Sequence, residues 1–245
     1  MGVLAVNVRD GAVDYAALKA APGELDGYLN DLAQVSRAEF DQWSQARPLA
    51  FLLNLYNAAT LKLVADNYPV KSMKKIGGVF GSPWKQKVVR LWGDTVTLEE
   101  VEHGILRAKY AEPRLHFTLV CAAKSCPPLR TEAYVADRLE AQLDEQGHRF
   151  LADPAKNRVD AAARILWLSP IFKWFEADFT AGGKTLPEFV APFLAESDRT
   201  AVAAGEFGVK FTAYDWSLNG LNRGASKSDV LSMNITRDSD SLTRG

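Results

Sequence analysis

The chain is poor in cysteine, in net charge and in long apolar runs, and each shortage excludes a class of protein. Only two of its 245 residues are cysteines, too few for a scaffold held together by disulfides. Lys and Arg (29) nearly balance Asp and Glu (30), so the net charge of −1 gives no sign of a nucleic-acid-binding surface. No run approaches the ~20 apolar residues of a membrane span, and neither a Gly-x-Gly-x-x-Gly run nor a Walker loop is present. The sequence therefore predicts no nucleic-acid partner, no integral membrane segment and no cofactor.

The first third of the chain has the pattern of packed helices. Apolar residues recur at helical spacing over 25–35, and Ser36 with Glu39 forms a capping box that begins a second helix. Pro48 opens a third helix over 49–66, which is apolar on almost all sides and is therefore predicted to be buried.

Strand patterns predominate after residue 87. We predict a hairpin over 88–97, a buried strand over 115–122 and a strand pair within 159–174 that bends at Ser169-Pro170. A long helix is expected over 132–151, and a last strand over 209–216.

These elements predict one α+β domain over residues 1–221. Its helical N-terminal part is expected to pack on a small, mostly antiparallel sheet. Residues 222–245 are rich in Ser, Asp, Arg and Lys and are expected to form a mobile polar tail.

The residues with reactive side chains are concentrated in one stretch. Two of the three histidines and both cysteines fall between His103 and Cys126. Histidine moves protons near neutral pH, and thiolate is the strongest common nucleophile. Cys126 lies ahead of a predicted helix, where the amides of a helix N-terminus would favour its thiolate. Cys121, inside an apolar run, is expected to behave as a small buried hydrophobe.

Glu102 and two histidines are the candidate partners of that thiol. Glu102 falls within the apolar arc of its helix, so its carboxylate must be paired or protonated. It is either a structural group bonded to Arg107, Lys85 or a backbone amide, or an orienting group or proton acceptor in a site. His103 lies at the edge of the same apolar face, and His116 opens the predicted strand.

Two asparagines and two arginines are candidate ligand-binding residues. Asn54 and Asn57 lie one turn apart on the buried helix, where they either tie it to a neighbouring loop or donate to a substrate. Arg107 and Arg130 can each clamp a carboxylate with two hydrogen bonds.

Metal binding is the competing use of the reactive residues. His103, His116, Cys121 and Cys126 could nominally supply four ligands. However, the sequence has no Cys-x-x-Cys or His-x-x-x-His pair, so we predict no metal site. A disulfide between the two cysteines is left open by their spacing.

Several of these stretches together resemble the domain-of-unknown-function family 547. The resemblance runs from about residue 13 to 220. The motifs that carry it are AFLLNLYNA at 50–58, SPWK at 82–85, EHGILR at 102–107, HFTLVCAAKSCPPLR at 116–130, LSPIFKW at 168–174 and YDWSLN at 214–219.

The resemblance has consequences for location and for the site. The family occurs in bacteria and plants, and its bacterial members are often exported. We therefore expect a periplasmic or otherwise extracytoplasmic protein, with a cytoplasmic location left open. The resemblance also implies that Glu102, His103 and the segment 125–128 belong to the family's motifs, and it adds Trp84 and Lys85 to the candidate substrate-binding residues.

Our leading hypothesis is a thiol-dependent hydrolase or acyltransferase with a papain-like or transglutaminase-like core, acting on amide or ester bonds. Cys126 is the expected nucleophile, His103 the base with His116 as its substitute, and Glu102 the orienting carboxylate. The alternative is a non-catalytic binding or scaffold module, whose polar cleft takes a small peptide or an anionic ligand. The sequence fixes neither the substrate nor the oligomeric state.

Overall fold

Most of the helices are short, and only two exceed twelve residues. The computed structural model describes residues 2–44, 46–78 and 81–221, so the predicted tail lies outside the described residues. The helices are α1 (Val3–Asn7), α2 (Tyr15–Ala20), α3 (Gly23–Gln34), α4 (Arg37–Gln42), α5 (Arg47–Asn67), α6 (Arg107–Lys109), α7 (Leu139–Leu151), α8 (Pro170–Trp174), α9 (Glu176–Phe179), α10 (Leu186–Val190) and α11 (Glu196–Ala203). A π-helical segment, Glu100–Leu106, runs directly into α6. Short 3-10 turns lie at Met73–Lys75, Pro83–Lys85, Pro113–Phe117, Ala136–Arg138, Ala181–Gly183 and Ala191–Phe193.

Helix α5 is the buried centre of the N-terminal half, as its apolar sequence predicted. Leu52, Leu53 and Val64 are fully buried on different sides of it. It is long and apolar enough to cross a membrane by length and composition alone. However, 89% of its most apolar stretch is buried inside the protein, as in the core helix of a folded domain.

The strands form three small sheets, which with the helices make the predicted α+β fold. They are β1 (Val8–Arg9), β2 (Ala12–Val13), β3 (Lys87–Leu91), β4 (Asp94–Thr97), β5 (Arg158–Asp160), β6 (Ile165–Leu168) and β7 (Gly208–Phe211). The pairs β1–β2, β3–β4 and β5–β6 are antiparallel, whereas β7 pairs with β6 in parallel. The hairpin β3–β4 lies where the sequence predicted it. Ser36 caps α4 by accepting from Glu39 N at 3.1 Å, which is one of the two hydrogen bonds of the predicted capping box.

The predicted strand over 115–122 is wrong, although this segment is buried. It begins with a 3-10 turn and continues as irregular backbone. A side chain replaces a neighbouring strand here: Asn57 Oδ1 accepts from Val120 N at 3.0 Å, and Asn57 Nδ2 donates to Thr118 O at 2.9 Å. The amide thus satisfies backbone groups that a β-ladder would otherwise pair.

Three element boundaries also differ from the prediction, those of α7, of β6 and of β7, which ends at Phe211 rather than at residue 216. Helix α7 starts at Leu139 rather than near residue 132, because Gln142 Oε1 reaches back to accept from Val135 N at 2.9 Å and holds that segment outside the helix. Strand β6 ends at Leu168, and Ser169 caps α8, so the residues after the predicted bend are helical.

Two hydrophobic clusters share the interior. The first cluster surrounds α5, with α2, α3, the β3–β4 hairpin and the π-helical segment. The second cluster is formed by α7, β6 and α8 to α10. Around His116 the chain contacts both clusters, since Leu115 belongs to the first cluster, Phe117 to the second, and Leu119 to the first again. Tyr214 packs against both.

Candidate active site

A cavity of about 280 Å³ is lined by residues of both clusters. It collects most of the reactive residues that the sequence singled out. These are Glu102, His103, His116, Cys121 and Cys126, with Trp84 at its edge.

The two cysteines are free thiols in contact with each other. Cys121 N donates to Cys126 Sγ at 2.7 Å, and Cys121 Sγ lies 3.1 Å from Tyr214 Oη. Burial alone raises the pKa of Cys126, but hydrogen bonds from the Cys121 thiol, the Cys121 amide and Tyr214 outweigh it and lower that pKa. The hydrogen bond to Cys126, together with burial, raises the pKa of Cys121 well above its usual range. Cys126 is therefore the thiol that ionises first.

This arrangement corrects two expectations about the thiols. Cys126 is not at a helix N-terminus, since α7 begins at Leu139, and its thiolate is favoured by individual donors rather than by a helix. Cys121 is half-buried and lines the cavity instead of pointing only into the core.

The backbone between the cysteines is folded tightly and is pinned from outside. Ala122 has a φ of 57°, a left-handed conformation that costs an L-residue energy and occurs most often at functional sites. Asn219 N donates to Ala122 O at 3.0 Å, and Lys124 N donates to Ser217 O at 2.9 Å. The segment after β7 thereby holds the loop in the shape that places Cys126 Sγ against Cys121.

Glu102 meets the cavity as a buried carboxyl with a single phenolic partner. Tyr56 Oη donates to Glu102 Oε2 at 3.0 Å. Burial raises the pKa of Glu102, although His103, Tyr56 and Arg107 each act in the opposite direction. The pKa of the Tyr56 hydroxyl is raised by its burial and by the charges of Glu102 and both cysteines. Tyr56 is therefore hydrogen-bonded to the carboxyl and lines the same cavity as the two thiols.

The π-helical segment decides which side chains of this helix reach the cavity. The Thr97–Glu100 capping box starts it, with hydrogen bonds of 3.0 and 2.7 Å in the two directions. At its end, Arg107 N donates to Glu102 O, the wider i to i−5 pairing. Widened turns of this kind insert one residue into a helix and frequently occur at functional sites. Here both Glu102 and His103 line the cavity, although they are adjacent in sequence.

Asp178 joins Arg107 to His116 in a chain of charge-assisted hydrogen bonds. Arg107 Nε and Nη2 donate to the two Asp178 oxygens at 2.6 and 2.9 Å, and His116 Nε2 lies 2.7 Å from Asp178 Oδ2. Arg107 lowers the pKa of Asp178 to about 2, so Asp178 is an acceptor at neutral pH. Burial lowers the pKa of His116 to about 4, so its ring is neutral. The ring therefore donates from Nε2 and keeps Nδ1 as its basic atom.

Arg107 also determines the proton position on His103. Arg107 Nη1 lies 2.9 Å from His103 Nδ1, and since a guanidinium only donates, Nδ1 must accept. The proton of a neutral His103 is then on Nε2, which makes this ring a hydrogen-bond donor to anything at its far side. Within the described residues, neither histidine ring is hydrogen-bonded to a cysteine sulfur.

Aromatic rings form the mouth of the cavity. Trp84 and Trp216 meet edge to face with centroids 6.1 Å apart, and Tyr214 and Trp216 are 4.5 Å apart. Trp174 is 48% exposed beside them. The Lys74 ammonium lies 3.4 Å from the centroid of Trp216. Any molecule that enters must pass these rings.

Several predicted binding residues lie elsewhere. Asn54 and Asn57 line a second cavity of about 710 Å³, which also borders Arg130. Asn54 is hydrogen-bonded in both directions to the Tyr134 backbone, so both amides tie α5 to neighbouring loops, the first of our two alternatives. Their amide groups are thus engaged within the protein, and so is Nη2 of Arg130, which pairs with Glu132 and Glu145.

Arg107 and Lys85 are also engaged within the protein. Arg107 clamps a carboxylate as predicted, but the carboxylate is that of Asp178. Lys85 is on the surface, with Nζ 3.8 Å from Glu99.

Three site residues were missed by sequence reasoning. Asp178 is 62 residues from His116 in sequence, and no local pattern marks it. Tyr56 and Tyr214 lie in the family-like motifs at 50–58 and 214–219, so those motifs were the available signal. Across residues 2–44, 46–78 and 81–221, no group of three or more His, Cys, Asp or Glu is arranged to hold a metal ion.

Comparison with known proteins gives a family but no reaction. The model of a family described as "Protein of unknown function, DUF547" matches residues 40–151, which confirms the resemblance predicted from the motifs. The match includes Glu102, His103, His116 and Cys126 and stops short of Asp178. No curated protein and no solved structure matches the chain.

Proposed function

We infer the function from the cavity, since the description of DUF547, the family whose model matches residues 40–151, names no reaction. We propose that the cavity is the active site of a thiol-dependent hydrolase or acyltransferase acting on amide or ester bonds. One observation carries the proposal: Cys126, whose pKa is lowered, and Glu102, whose pKa is raised, line the same cavity. Groups whose environments move their pKa values in opposite directions are typical of acid–base sites.

Cys126 is the nucleophile, and its thiolate needs no histidine partner. The donors around it already favour the ionised form. Its sulfur attacks the carbonyl carbon of the substrate, and the electron pair of the carbonyl bond moves to oxygen. When the tetrahedral intermediate collapses, the bond to the leaving group breaks and a thioester forms on Cys126.

Glu102 moves the proton in both halves of the reaction. As a carboxylic acid, it protonates the leaving amine or alkoxide during acylation. As a carboxylate, it then takes a proton from the water or acceptor alcohol that attacks the thioester, and the thiolate of Cys126 leaves. Burial supports this role, because it raises the pKa of Glu102 above its usual value and so favours the protonated form that a general acid needs.

The two histidines bind and orient the substrate. His103 presents Nε2–H, a donor suited to the substrate carbonyl oxygen, since Arg107 occupies its other nitrogen. His116 presents the acceptor Nδ1, since Asp178 holds its Nε2–H, and an acceptor suits a substrate amide N–H. These assignments differ from the sequence-based hypothesis, in which His103 was the base and Glu102 only oriented it.

A chromogenic ester tests the proposal. With p-nitrophenyl acetate, the expected result is an acetyl group on Cys126, identified by peptide mass spectrometry, and its loss in Cys126→Ser. Glu102→Gln is the matched variant, because it keeps an acceptor for Tyr56 but cannot carry the proton. Nitrophenolate leaves without protonation, so this variant should acylate normally and deacylate slowly, and acetyl-Cys126 should accumulate.

The opposite result would favour the alternative function. Cys126 is only 3% exposed, the observation that most favours a binding module. If Cys126 remains unacetylated while small molecules still bind at the cavity, the enzyme proposal is wrong and the cavity is a recognition site.

A further inference from the structure

The loop 121–126 places two thiols where one can react and the other can resolve the product. Cys121 N donates to Cys126 Sγ at 2.7 Å, and Cys126 N donates to Ala123 O at 3.0 Å, which closes the loop on itself. The two thiols are also close enough for each to shift the pKa of the other. Both are free in this structure.

The loop is held in this shape by contacts that do not involve the sulfurs. Ser125 N donates to Asp215 O at 3.2 Å, and Asp215 N donates back to Ser125 Oγ at 2.8 Å. Ala123 also forms an isolated antiparallel bridge with Leu218. Because the loop is pinned at Ala123 and Ser125, between its two cysteines, the thiols are held near each other without a conformational search.

The two sulfurs are unequal, as a reactive pair requires. Cys126 accepts hydrogen bonds and ionises first, whereas Cys121 remains a thiol. Low-pKa, reachable cysteines beside a second cysteine are the arrangement found at thiol oxidation sites. Cys126 is buried from bulk water but faces the 280 Å³ cavity, which is far larger than the ~30 Å³ that one water occupies. A small peroxide therefore fits.

We propose that Cys126 and Cys121 form an oxidation site that takes hydrogen peroxide, with Cys126 as the attacking thiolate and Cys121 as the resolving thiol. The Cys126 sulfur attacks one peroxide oxygen, the O–O bond breaks, and the departing hydroxide takes a proton and becomes water. This leaves a sulfenic acid on Cys126.

The second step forms the disulfide. The Cys121 sulfur attacks the Cys126 sulfur, the S–O bond breaks, and the hydroxyl leaves as water with the proton of Cys121. The two thiols lose two electrons in total, and the peroxide gains them. A small-molecule thiol reverses the change by disulfide exchange.

Peroxide oxidation of the full chain in the presence of dimedone, which captures sulfenic acids, tests the inference. In the native protein, the expected product is a Cys121–Cys126 disulfide, seen as the loss of two hydrogens by intact mass and removed by dithiothreitol. Cys121→Ser lacks the resolving thiol, so dimedone should accumulate on Cys126 several-fold above the native level. In Cys126→Ser, Cys121 should remain unlabelled.

Two outcomes would overturn the inference. One is dimedone capture on native Cys126 equal to that in Cys121→Ser, and the other is no oxidation, or only sulfinic acid, at Cys126. The native protein alone yields the disulfide measurement, so a variant that fails to fold does not remove the test. The readout is sulfur oxidation and needs no acyl substrate, so its failure is distinguishable from failure of the proposed acyl-transfer function.

Discussion

At the scale of single residues, the ionisation of Cys126 depends on donors that come from distant parts of the chain. The Cys121 amide and thiol are local, but Tyr214 is contributed by the segment after β7. A hydrogen bond that is stronger to the thiolate than to the thiol lowers the pKa of the sulfur. Each donor should therefore be separable by substitution.

Replacing Tyr214 by Phe should raise the pKa of Cys126. The change removes one donor and leaves the ring in place among the aromatic residues of the mouth. A hydrogen bond to a charged group contributes ~1.5 kcal/mol or more, so the shift should be roughly one pH unit. The measurement is the pH midpoint of iodoacetamide alkylation at Cys126, read separately from Cys121 by mass spectrometry.

Tyr28→Phe is the control for this substitution. Tyr28 lines the second cavity, away from the sulfurs, so its removal should leave the alkylation midpoint unchanged. An unchanged midpoint in Tyr214→Phe as well would show that the tyrosine hydroxyl does not stabilise the thiolate.

The sequence identified the reactive residues of the site but not their hydrogen-bond partners. Glu102, His103, His116 and Cys126 were all singled out, and all face one cavity. Their partners could not be found, because Asp178 and Tyr214 reach the site through tertiary contacts spanning 62 or more residues. Composition and local spacing contain no record of such contacts.

At the scale of elements, the Asn57 side chain makes hydrogen bonds to the backbone of 118–120 that a neighbouring strand was expected to make. Its side chain is 6% exposed and serves one carbonyl and one amide of the segment that follows the Pro113–Phe117 turn. The sequence could not distinguish this from a strand, because a short apolar run reads alike in both cases.

Asn57→Ala should destabilise the protein by about 2–4 kcal/mol, because it leaves a buried carbonyl and a buried amide without partners. Urea unfolding followed by circular dichroism provides the measurement. Asn67→Ala is the control, because Asn67 bonds only to its own helix through Leu63 O and should cost much less. Equal losses in the two variants would contradict the role assigned to Asn57.

Two helical glycines form a matched pair with opposite expected effects. A Cβ added at Gly104 meets nothing within 4 Å, so Gly104→Ala should stabilise the protein by about 0.5–1 kcal/mol through reduced unfolded-state entropy. A Cβ at Gly147 would lie 2.5 Å from the Phe193 ring, so Gly147→Ala should destabilise it by about 1–3 kcal/mol. Thermal unfolding of both variants checks the signs, and a gain at Gly147 would contradict the packing described here.

Sequence patterns predicted the N-terminal elements better than the later ones. Helices α3 to α5 and the β3–β4 hairpin follow from periodicity, caps and a turn, all of which are local signals. The late start of α7 and the irregular 118–122 segment depend on Gln142 and Asn57. Those side chains act across several turns or on another element, which no window of sequence reveals.

At the scale of the whole molecule, the cavity lies where the two clusters meet. Arg107 comes from the helix that packs in the first cluster, and Asp178 lies on α9 of the second. His116 lies between Leu115 of the first cluster and Phe117 of the second, and its ring is stacked on Phe175 with centroids 4.0 Å apart. The electrostatic state of the site is thereby linked to the stability of the fold.

Stability should fall as the pH drops from about 6.5 to about 4. In the folded state the pKa of His116 is about 4, whereas an unfolded histidine titrates near 6.5, so acid protonates the unfolded chain first and favours it. The contribution of neutral His116 is complete above about 6.5, and the loss through this window is on the order of 3 kcal/mol. Asp178 adds little within this window, because its own contribution is lost only at lower pH, between the unfolded carboxyl pKa of 3.8 and the folded value of about 2.

The free energy of urea unfolding at about pH 7 and about pH 4 checks this expectation. In His116→Gln, the difference between the two pH values should shrink, whatever the variant's stability at neutral pH. A difference as large as in the native protein would assign the acid sensitivity to other groups. His148→Gln is the control, since His148 is exposed.

The aromatic side chains at the mouth allow binding in the cavity to be followed by intrinsic tryptophan fluorescence. Three of the six tryptophans, Trp84, Trp174 and Trp216, border this one opening. Indole emission changes in colour and brightness when water leaves or when a nearby cation moves, and Lys74 is held directly over Trp216. A compound that binds in the cavity should therefore change the tryptophan fluorescence of the unlabelled protein. Compound libraries can be screened by this change before any reaction is known.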